Sequence, residues 1–202
     1  MRSKTWNKEH EDDHYVQRAH KEGWRSRAVY KLEEIDKKYN LIQQGMNIVD
    51  LGAAPGGWSQ YLAKKVGSSG KLIAIDILEM ESINNVHFLH GDFTEQEIYE
   101  SLREIVGQKP IDLVLSDMAP NISGISSVDQ PKAMYLAELA AEFALEVLAD
   151  DGGLIVKLFQ GSGFDDYVKM LRSKFNKVLI RKPEASRARS REMYALATGI
   201  KI

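Results

Sequence analysis

Seven apolar runs of strand length, separated by stretches with helical spacing, constrain this chain more than any other feature of it. The runs are NIVDLG, KLIAIDI, VHFLHGD, IDLVLSD, GGLIVKLF, KVLIRKP and EMYALATGI. Between them, Trp58 to Val66, Glu95 to Val106, Pro131 to Ala149 and Phe164 to Phe175 repeat apolar side chains at helical intervals, the third being rich in Ala, Leu and Glu. Strands that alternate with helices are joined by crossovers, and crossovers give a mostly parallel sheet with helices on both faces. The last two runs break the pattern. Only the polar segment Glu184 to Arg191 separates them, too short for a helical crossover, so they are expected to pair antiparallel at one edge. The expected architecture is α/β, with seven strands of which the last is antiparallel. At 202 residues and 44% hydrophobic content, the chain can bury one core well and two poorly, so a single domain over residues 1–202 is expected. Residues 1–14 are polar enough to be expected flexible.

Composition removes several classes of chemistry. Cysteine is absent, which excludes disulfides, thiolate metal sites and cysteine nucleophiles, and suits a reducing compartment. The first thirty residues hold no apolar run like a signal peptide and no stretch approaches a membrane span, so a cytoplasmic chain with no membrane partner is expected. His10 and His14 have helical i, i+4 spacing but no Glu between them in an H-E-x-x-H pattern, and no metal is expected. Ser59 lies in G-G-W-S-Q, which is not a hydrolase nucleophile elbow.

The loop DLGAAPGGWSQ, Asp50 to Gln60, joins the first run to the first helix. Against the dinucleotide fingerprint G-x-G-x-x-G, its second glycine is replaced by Ala54, and a proline follows. That glycine normally lets backbone approach a pyrophosphate. Its replacement turns the expectation from NAD or FAD to a nucleoside cofactor without phosphates, such as S-adenosylmethionine. Asp76, ending LIAID, is placed to accept hydrogen bonds from ribose hydroxyls, and Asp92, ending HFLHGD, to meet the adenine side.

Four charged residues stand around this loop. Asp117 and Lys157 end the runs LVLSD and GLIVK, Glu192 opens EMYALATGI, and Lys31 lies in the N-terminal part of the chain. Ligands of open α/β sheets bind at the carboxyl ends of parallel strands, so Asp117 and Lys157 are expected to face one crevice. Together with the loop they suggest a nucleotide-like cofactor held next to a Lys/Asp/Lys/Glu reaction centre.

The net charge of −2 hides a segregation along the chain. From Lys169 to Arg191 nine Lys or Arg residues face Glu184 alone, and Arg18, Lys21, Arg25, Arg27 and Lys31 cluster near Trp24 and Tyr30. A polyanion could bind such a face, with Arg25, Arg27, Lys177 and Arg181 as candidate phosphate contacts and Trp6, Trp24 and Tyr30 as candidate stacking platforms. A solvated surface or core packing is the competing reading of these residues.

The segments RSRAVYKLEEID, DLGAAPGGWSQYL, AIDI, HGDF, LSDMAPNISG, VKLFQG and SRARSREMY, in this order over almost the whole chain, resemble the FtsJ family of ribose 2'-O-methyltransferases. The resemblance implies a Rossmann-like fold binding S-adenosylmethionine through Gly56, Trp58, Asp76, Asp92 and Asp117. It also implies catalytic Lys31, Asp117, Lys157 and Glu192, with Lys157 as proton acceptor. A ribose hydroxyl attacking a sulfonium methyl must be held in line and must lose its proton, so on this reading Lys157 receives or steers that proton, Asp117 orients Lys157 near the methyl, and Lys31 with Glu192 positions the ribose. The short chain points to the bacterial branch, which acts on ribosomal RNA of the large subunit, at an A-loop uridine in an assembled or nearly assembled particle. No obligate protein partner is implied, and a monomer is expected. Relatives with the same four residues modify transfer RNA or messenger RNA caps. The rival functions are a small-molecule methyltransferase and a non-catalytic RNA-binding assembly factor.

Overall fold

The computed structural model describes residues 13–201. In chain order they form α1 (His14–Glu22), α2 (Val29–Tyr39), β1 (Asn47–Leu51), α3 (Gly57–Val66), β2 (Lys71–Asp76), β3 (Val86–His90), α4 (Gln96–Val106), β4 (Ile111–Ser116), α5 (Ser126–Val147), β5 (Leu148–Phe159), α6 (Phe164–Lys174), β6 (Phe175–Arg181) and β7 (Glu192–Ile200). The strands make one sheet in the order β3-β2-β1-β4-β5-β7-β6. The first five are mutually parallel, and β7 runs antiparallel to both its neighbours. This is the expected mixed sheet, with the antiparallel pair at one edge.

The last strand is not itself the edge, because β7 inserts between β5 and β6. Burial explains the order. Tyr194, Ala195, Leu196 and Ala197 are all buried, and a strand buried on both faces needs neighbours on both sides, whereas β6 carries exposed Asn176 and Lys177. The insertion has a consequence for chemistry. An antiparallel strand begins where its parallel neighbours end, so Glu192 stands opposite Phe159, at the carboxyl edge of the sheet.

Two helices, α1 and α2, lie outside the stretches whose spacing reads as helical. In α2, VYKLEEIDKKY, the buried Val29, Tyr30, Leu32, Ile35 and Asp36 form one stripe, while the remaining charged residues make the segment look polar on average. Helix α1 starts at an N-cap, Asp13, whose Oδ1 accepts the Tyr15 N–H at 3.0 Å, and ends at Gly23 in the left-handed region. Asp13 and His14 therefore belong to a capped helix. The remainder of the segment expected to be flexible, with Trp6 and His10, lies outside the described residues. The longest helix starts at Ser126, five residues before the expected Pro131, with the Asp129 carboxylate accepting the Ser123 and Gly124 N–H groups at 2.9 and 3.0 Å.

Strand alternation splits the core into two layers. On one face, Val114, Leu154, Val156, Leu158, Ala195 and Ala197 pack with residues of α4, α5 and α6. On the other, Ile48, Leu113, Leu115, Ile155, Tyr194 and Leu196 pack with residues of α1, α2 and α3. Among the described residues no helix is long and apolar enough to cross a membrane.

Candidate active site

The winding of the sheet reverses between β1 and β4, and the crevice at such a point is where open α/β sheets bind ligands. Gly52 closes β1 there with φ +78°, and a Cβ on it would come within 2.9 Å of the Met118 backbone nitrogen, so only glycine lets the two strand ends approach this closely. A cavity of about 750 Å³ opens beside them, lined by Gly52, Ala54, Asp76, Asp92, Phe93, Asp117, Met118, Lys132 and Tyr135 among others. Asp76 organises its wall: Oδ2 accepts the Ala54 N–H and Oδ1 the Leu78 N–H, each at 2.8 Å. Each carboxylate oxygen has a second lone pair available to a ligand hydroxyl. Asp92 spends one oxygen on the Thr94 N–H and hydroxyl, at 2.9 and 2.7 Å. Exposed Ile77 and Leu78 form an apolar lip.

The donor set suits one class of cofactor better than another. Three carboxylates against one lysine repel a pyrophosphate and favour a cationic sulfonium with ribose hydroxyls. S-Adenosylmethionine therefore fits these residues better than a dinucleotide does. Gly56 and Trp58, also expected at the cofactor, are not among the residues lining this cavity. Gly56 is the N-cap of α3 at φ +107°, with the Met80 sulfur and the Arg25 guanidinium where its Cβ would be. The Trp58 indole turns the other way, donating to the Ala28 carbonyl at 2.7 Å. What this turn can offer a ligand is backbone N–H groups, which the first turn of a helix leaves without intrahelical partners.

At the neighbouring strand ends the four charged residues meet as two ion pairs. Lys157 Nζ donates to the Asp117 backbone carbonyl at 2.6 Å and lies 3.1 Å from Asp117 Oδ1. Lys31 Nζ lies 2.7 Å from Glu192 Oε1, close as an ion pair though not aligned as a hydrogen bond. The alternation explains the meeting. Leu113 and Leu115, Ile155, and Tyr194 and Leu196 share the face covered by α2; Asp117, Lys157 and Glu192 continue these series by one step each, and Lys31 descends from α2. Burial works to raise the Asp117 pKa, but Lys157, Lys31 and the hydrogen bonds from Tyr194 and Lys157 outweigh it and hold the carboxyl below its ordinary value.

Tyr194 joins the two pairs, and sequence reasoning did not single it out. It is fully buried; its hydroxyl donates to Asp117 Oδ1 at 2.6 Å and accepts from Lys31 Nζ at 3.4 Å. Its ring packs against Trp58 with centroids 5.8 Å apart, a contact worth about 1 kcal/mol. Burial, then the nearby Asp117 and Glu192, push the phenol well above its ordinary pKa, so it stays a neutral donor. The signal available in the sequence was its place two residues after Glu192, on the same face of β7. Tyr194→Phe keeps the ring and removes the bridge; turnover should fall about tenfold with cofactor affinity within twofold of wild type. Equal losses in both, measured by single-turnover kinetics and calorimetry, would assign Tyr194 to the cofactor cavity instead.

Asp50 is the other buried acid here. Ser59 donates to its Oδ2 at 2.7 Å, while among the described residues Oδ1 has no partner. Burial raises its pKa to about 7, with the Ser59 hydrogen bond opposing and the charges of Asp117 and Asp76 adding. The folded-state value lies above the unfolded one, so the stability carried by the protonated form is complete below the unfolded pKa and is lost as pH rises towards about 7. Asp50→Asn should therefore gain on wild type by roughly 2–3 kcal/mol between pH 5 and pH 8. Urea unfolding at both pH values checks this, and a difference independent of pH would mean that Asp50 is ionised throughout.

A second cavity, of about 530 Å³, adjoins the ion pairs and is lined by Arg27, Lys31, Lys157, Phe159, Arg187, Arg189 and Glu192 among others. Of the four expected phosphate contacts, only Arg27 lines it. Arg25 is engaged elsewhere: its guanidinium donates to the Glu81 and Ser82 carbonyls at 2.7 and 3.0 Å, tying the 81–82 loop to the segment between α1 and α2. Arg181 donates to the Tyr39 hydroxyl and to the Ile180 carbonyl. Lys177 is exposed but pairs in register with Thr198, which pairs with Gly153; at about 3.3 Å per residue this is roughly 20 Å along β5 from Phe159 and the crevice. Trp24 and Tyr30 pack into the α1–α3 layer, where Tyr30 is buried. Among the described residues no group of three His, Cys, Asp or Glu could hold a metal ion.

A model of the FtsJ-like methyltransferase family matches residues 24–200. Ribosomal RNA large subunit methyltransferase E of Legionella pneumophila strain Corby is 56% identical over 200 residues, which cover 99% of this chain and 97% of that one. The protein of the same name from strain Lens is 55% identical over 200 residues. Among solved structures, a Plasmodium falciparum protein assigned as a ribosomal RNA methyltransferase superposes with a TM-score of 0.78 at 30% identity, over 88% of this chain and 98% of that one. A Clostridium thermocellum chain assigned as an rRNA methylase shares the fold, with a TM-score of 0.56 at 18% identity. The family match runs from Trp24 to Ile200 and so includes Lys31, Asp117, Lys157 and Glu192: the chain belongs to the FtsJ-like methyltransferase family.

Proposed function

We propose that this protein methylates a ribose 2'-hydroxyl in large-subunit ribosomal RNA, using S-adenosylmethionine. The observation that carries the reading is the Lys157–Asp117 junction between two cavities, one acidic and one basic. Bound in the acidic cavity, the cofactor supplies an electrophilic methyl whose transfer leaves a neutral thioether. Asp76 and Asp92 would hold the nucleoside end, Asp117 would offset the sulfonium charge, and the N–H groups of Gly57 and Trp58 would meet the amino-acid end, that of Gly56 being taken by the Ala53 carbonyl at 2.7 Å. Across the junction, Lys31 and Glu192 orient the ribose, and Lys157, acting as the free amine whose two N–H groups face the Asp117 carboxylate and carbonyl, takes the hydroxyl proton on its lone pair as the 2'-oxygen bonds the methyl carbon and the carbon–sulfur bond breaks. Asp117 holds Lys157 by carboxylate and carbonyl together, which limits the orientations from which that nitrogen can work.

The target that fits best is a uridine in the A loop of 23S ribosomal RNA, presented by an assembled or nearly assembled large subunit. The names of the 55–56% identical relatives support large-subunit ribosomal RNA, and a basic cavity can grip a preformed RNA backbone; the A-loop uridine and the assembled particle are what the family resemblance of the sequence implies. The protein acts as a monomer in the cytoplasm. The test offers purified enzyme undermethylated large subunits, naked large-subunit RNA and transfer RNA in parallel, and maps ribose methylation by mass spectrometry. Methylation of the subunit at one A-loop uridine is expected. A preference for naked RNA or transfer RNA would reject the assembled-subunit target and leave the chemistry standing; no ribose methylation of any RNA would reject the function.

A further inference from the structure

Two of the arginines that line the basic cavity belong to an internal ion cluster. Arg27 and Arg187 both line the cavity, and both turn to one oxygen, Oδ2 of Asp13: Arg27 Nη1 pairs with it, and Arg187 Nε lies 3.6 Å away. The Asp13 and Arg27 side chains are 13% and 14% exposed, so the pair is largely withdrawn from solvent. Two guanidiniums converging on one anionic oxygen is also how a non-bridging phosphate oxygen is gripped. In a polynucleotide the 3'-oxygen, which carries a phosphodiester, is vicinal to the 2'-oxygen. A ribose held at Lys157 therefore brings an anion into the cavity that these arginines line.

We propose that Arg27 and Arg187 form the phosphate subsite for the nucleotide being methylated, and that Asp13 is a built-in placeholder which the phosphodiester displaces. This rests on the ribose-methylation reading above. Asp13 suits the part because it divides its two oxygens: Oδ1 caps α1 through the Tyr15 N–H at 3.0 Å, so Oδ2 can leave the arginines while the helix keeps its cap. The placeholder keeps two cations paired in the absence of RNA and sets a threshold. An anion must outcompete a tethered carboxylate, which a polynucleotide anchored at neighbouring phosphates does more readily than a free mononucleotide.

The experiment measures binding of a fluorescent uridine hexanucleotide by anisotropy over a series of KCl concentrations. The proteins are wild type, Asp13→Asn, the pair Arg27→Gln with Arg187→Gln, and the triple variant. Asn caps a helix as well as Asp, and Asp13→Ser gives the same comparison should Asn disturb α1 in a thermal melt. Asp13→Asn is expected to tighten binding roughly threefold, and to change nothing once both arginines are glutamine. The pair Arg27→Gln with Arg187→Gln should weaken binding and lower the counterion slope by about 1.4, about 0.7 for each arginine. Weaker binding by Asp13→Asn would show that Asp13 aligns the arginines and does not stand in for phosphate. Equal tightening in both backgrounds would reduce the effect to general charge, and either result overturns the proposal. Ribosomal RNA methylation by wild type, measured alongside, separates the two readings: failed methylation with a positive cycle rejects the function alone, and successful methylation with a failed cycle rejects the subsite alone.

Discussion

Replacing Lys157 with alanine is expected to lower single-turnover methyl transfer by about 10²- to 10⁴-fold, the range for removing a group that accepts a proton in the transition state. Cofactor affinity should stay within about threefold of wild type, because Lys157 lines the basic cavity and not the acidic one. The fold should tolerate the change. Asp117 keeps the Tyr194 hydroxyl at 2.6 Å, so its carboxylate is not left without a donor. Calorimetry with S-adenosylhomocysteine and rapid-quench transfer assays separate the two effects. Near wild-type transfer would mean that the 2'-hydroxyl loses its proton to another acceptor, and a parallel loss of cofactor affinity would move Lys157 into the cofactor cavity.

Asp117→Ala is expected to damage more than one property, because this carboxylate touches both ion pairs. It is the partner of Lys157 at 3.1 Å, the acceptor from Tyr194, and part of the wall of the acidic cavity. Removing it leaves Lys157, Lys31 and a buried phenol around a site without its central anion, costing on the order of 3 kcal/mol of stability. Transfer should fall by 10³-fold or more, and cofactor affinity by about tenfold, since a cationic sulfonium loses a facing charge. Thermal melts, calorimetry and single-turnover rates read the three losses. The variant also reports on coupling: in Asp117→Ala, adding Lys157→Ala should cost much less than it does in wild type, because the two residues act as one unit. Additive losses would mean that they contribute separately.

How much of this was legible beforehand depended on whether a property is local. The runs IDLVLSD and GGLIVKLF announce strands because their β-branched and apolar residues suit a buried pleat, and their ends, Asp117 and Lys157, fall at the carboxyl edge of any parallel sheet. Helix α2 was hidden because six of its eleven residues are charged, one of them the buried Asp36, so the apolar stripe disappears in the average. The basic residues illustrate the opposite limit. Arg25, Arg27, Lys177 and Arg181 look alike in one dimension, yet Arg25 ties a loop, Arg181 meets Tyr39, Lys177 sits at the far end of the sheet, and Arg27 alone reaches the cavity.

By itself the sequence determined the α/β class, the antiparallel ending, the glycine turn at Gly52, and the placing of Asp117 and Lys157 at strand ends beside it, because each follows from short-range periodicity, chain reach or steric freedom. The tertiary structure alone decided that β7 inserts between β5 and β6, which sets Glu192 beside Phe159 and brings Tyr194 under Asp117 and Lys31. It also decided that Trp58 supports Tyr194 with its indole, and that Asp13 reaches across to Arg27 and Arg187. The physical reason is the same in each case. Strand order and side-chain partnership are settled by which buried surfaces can be covered together, a competition among segments far apart in the chain that no local pattern records.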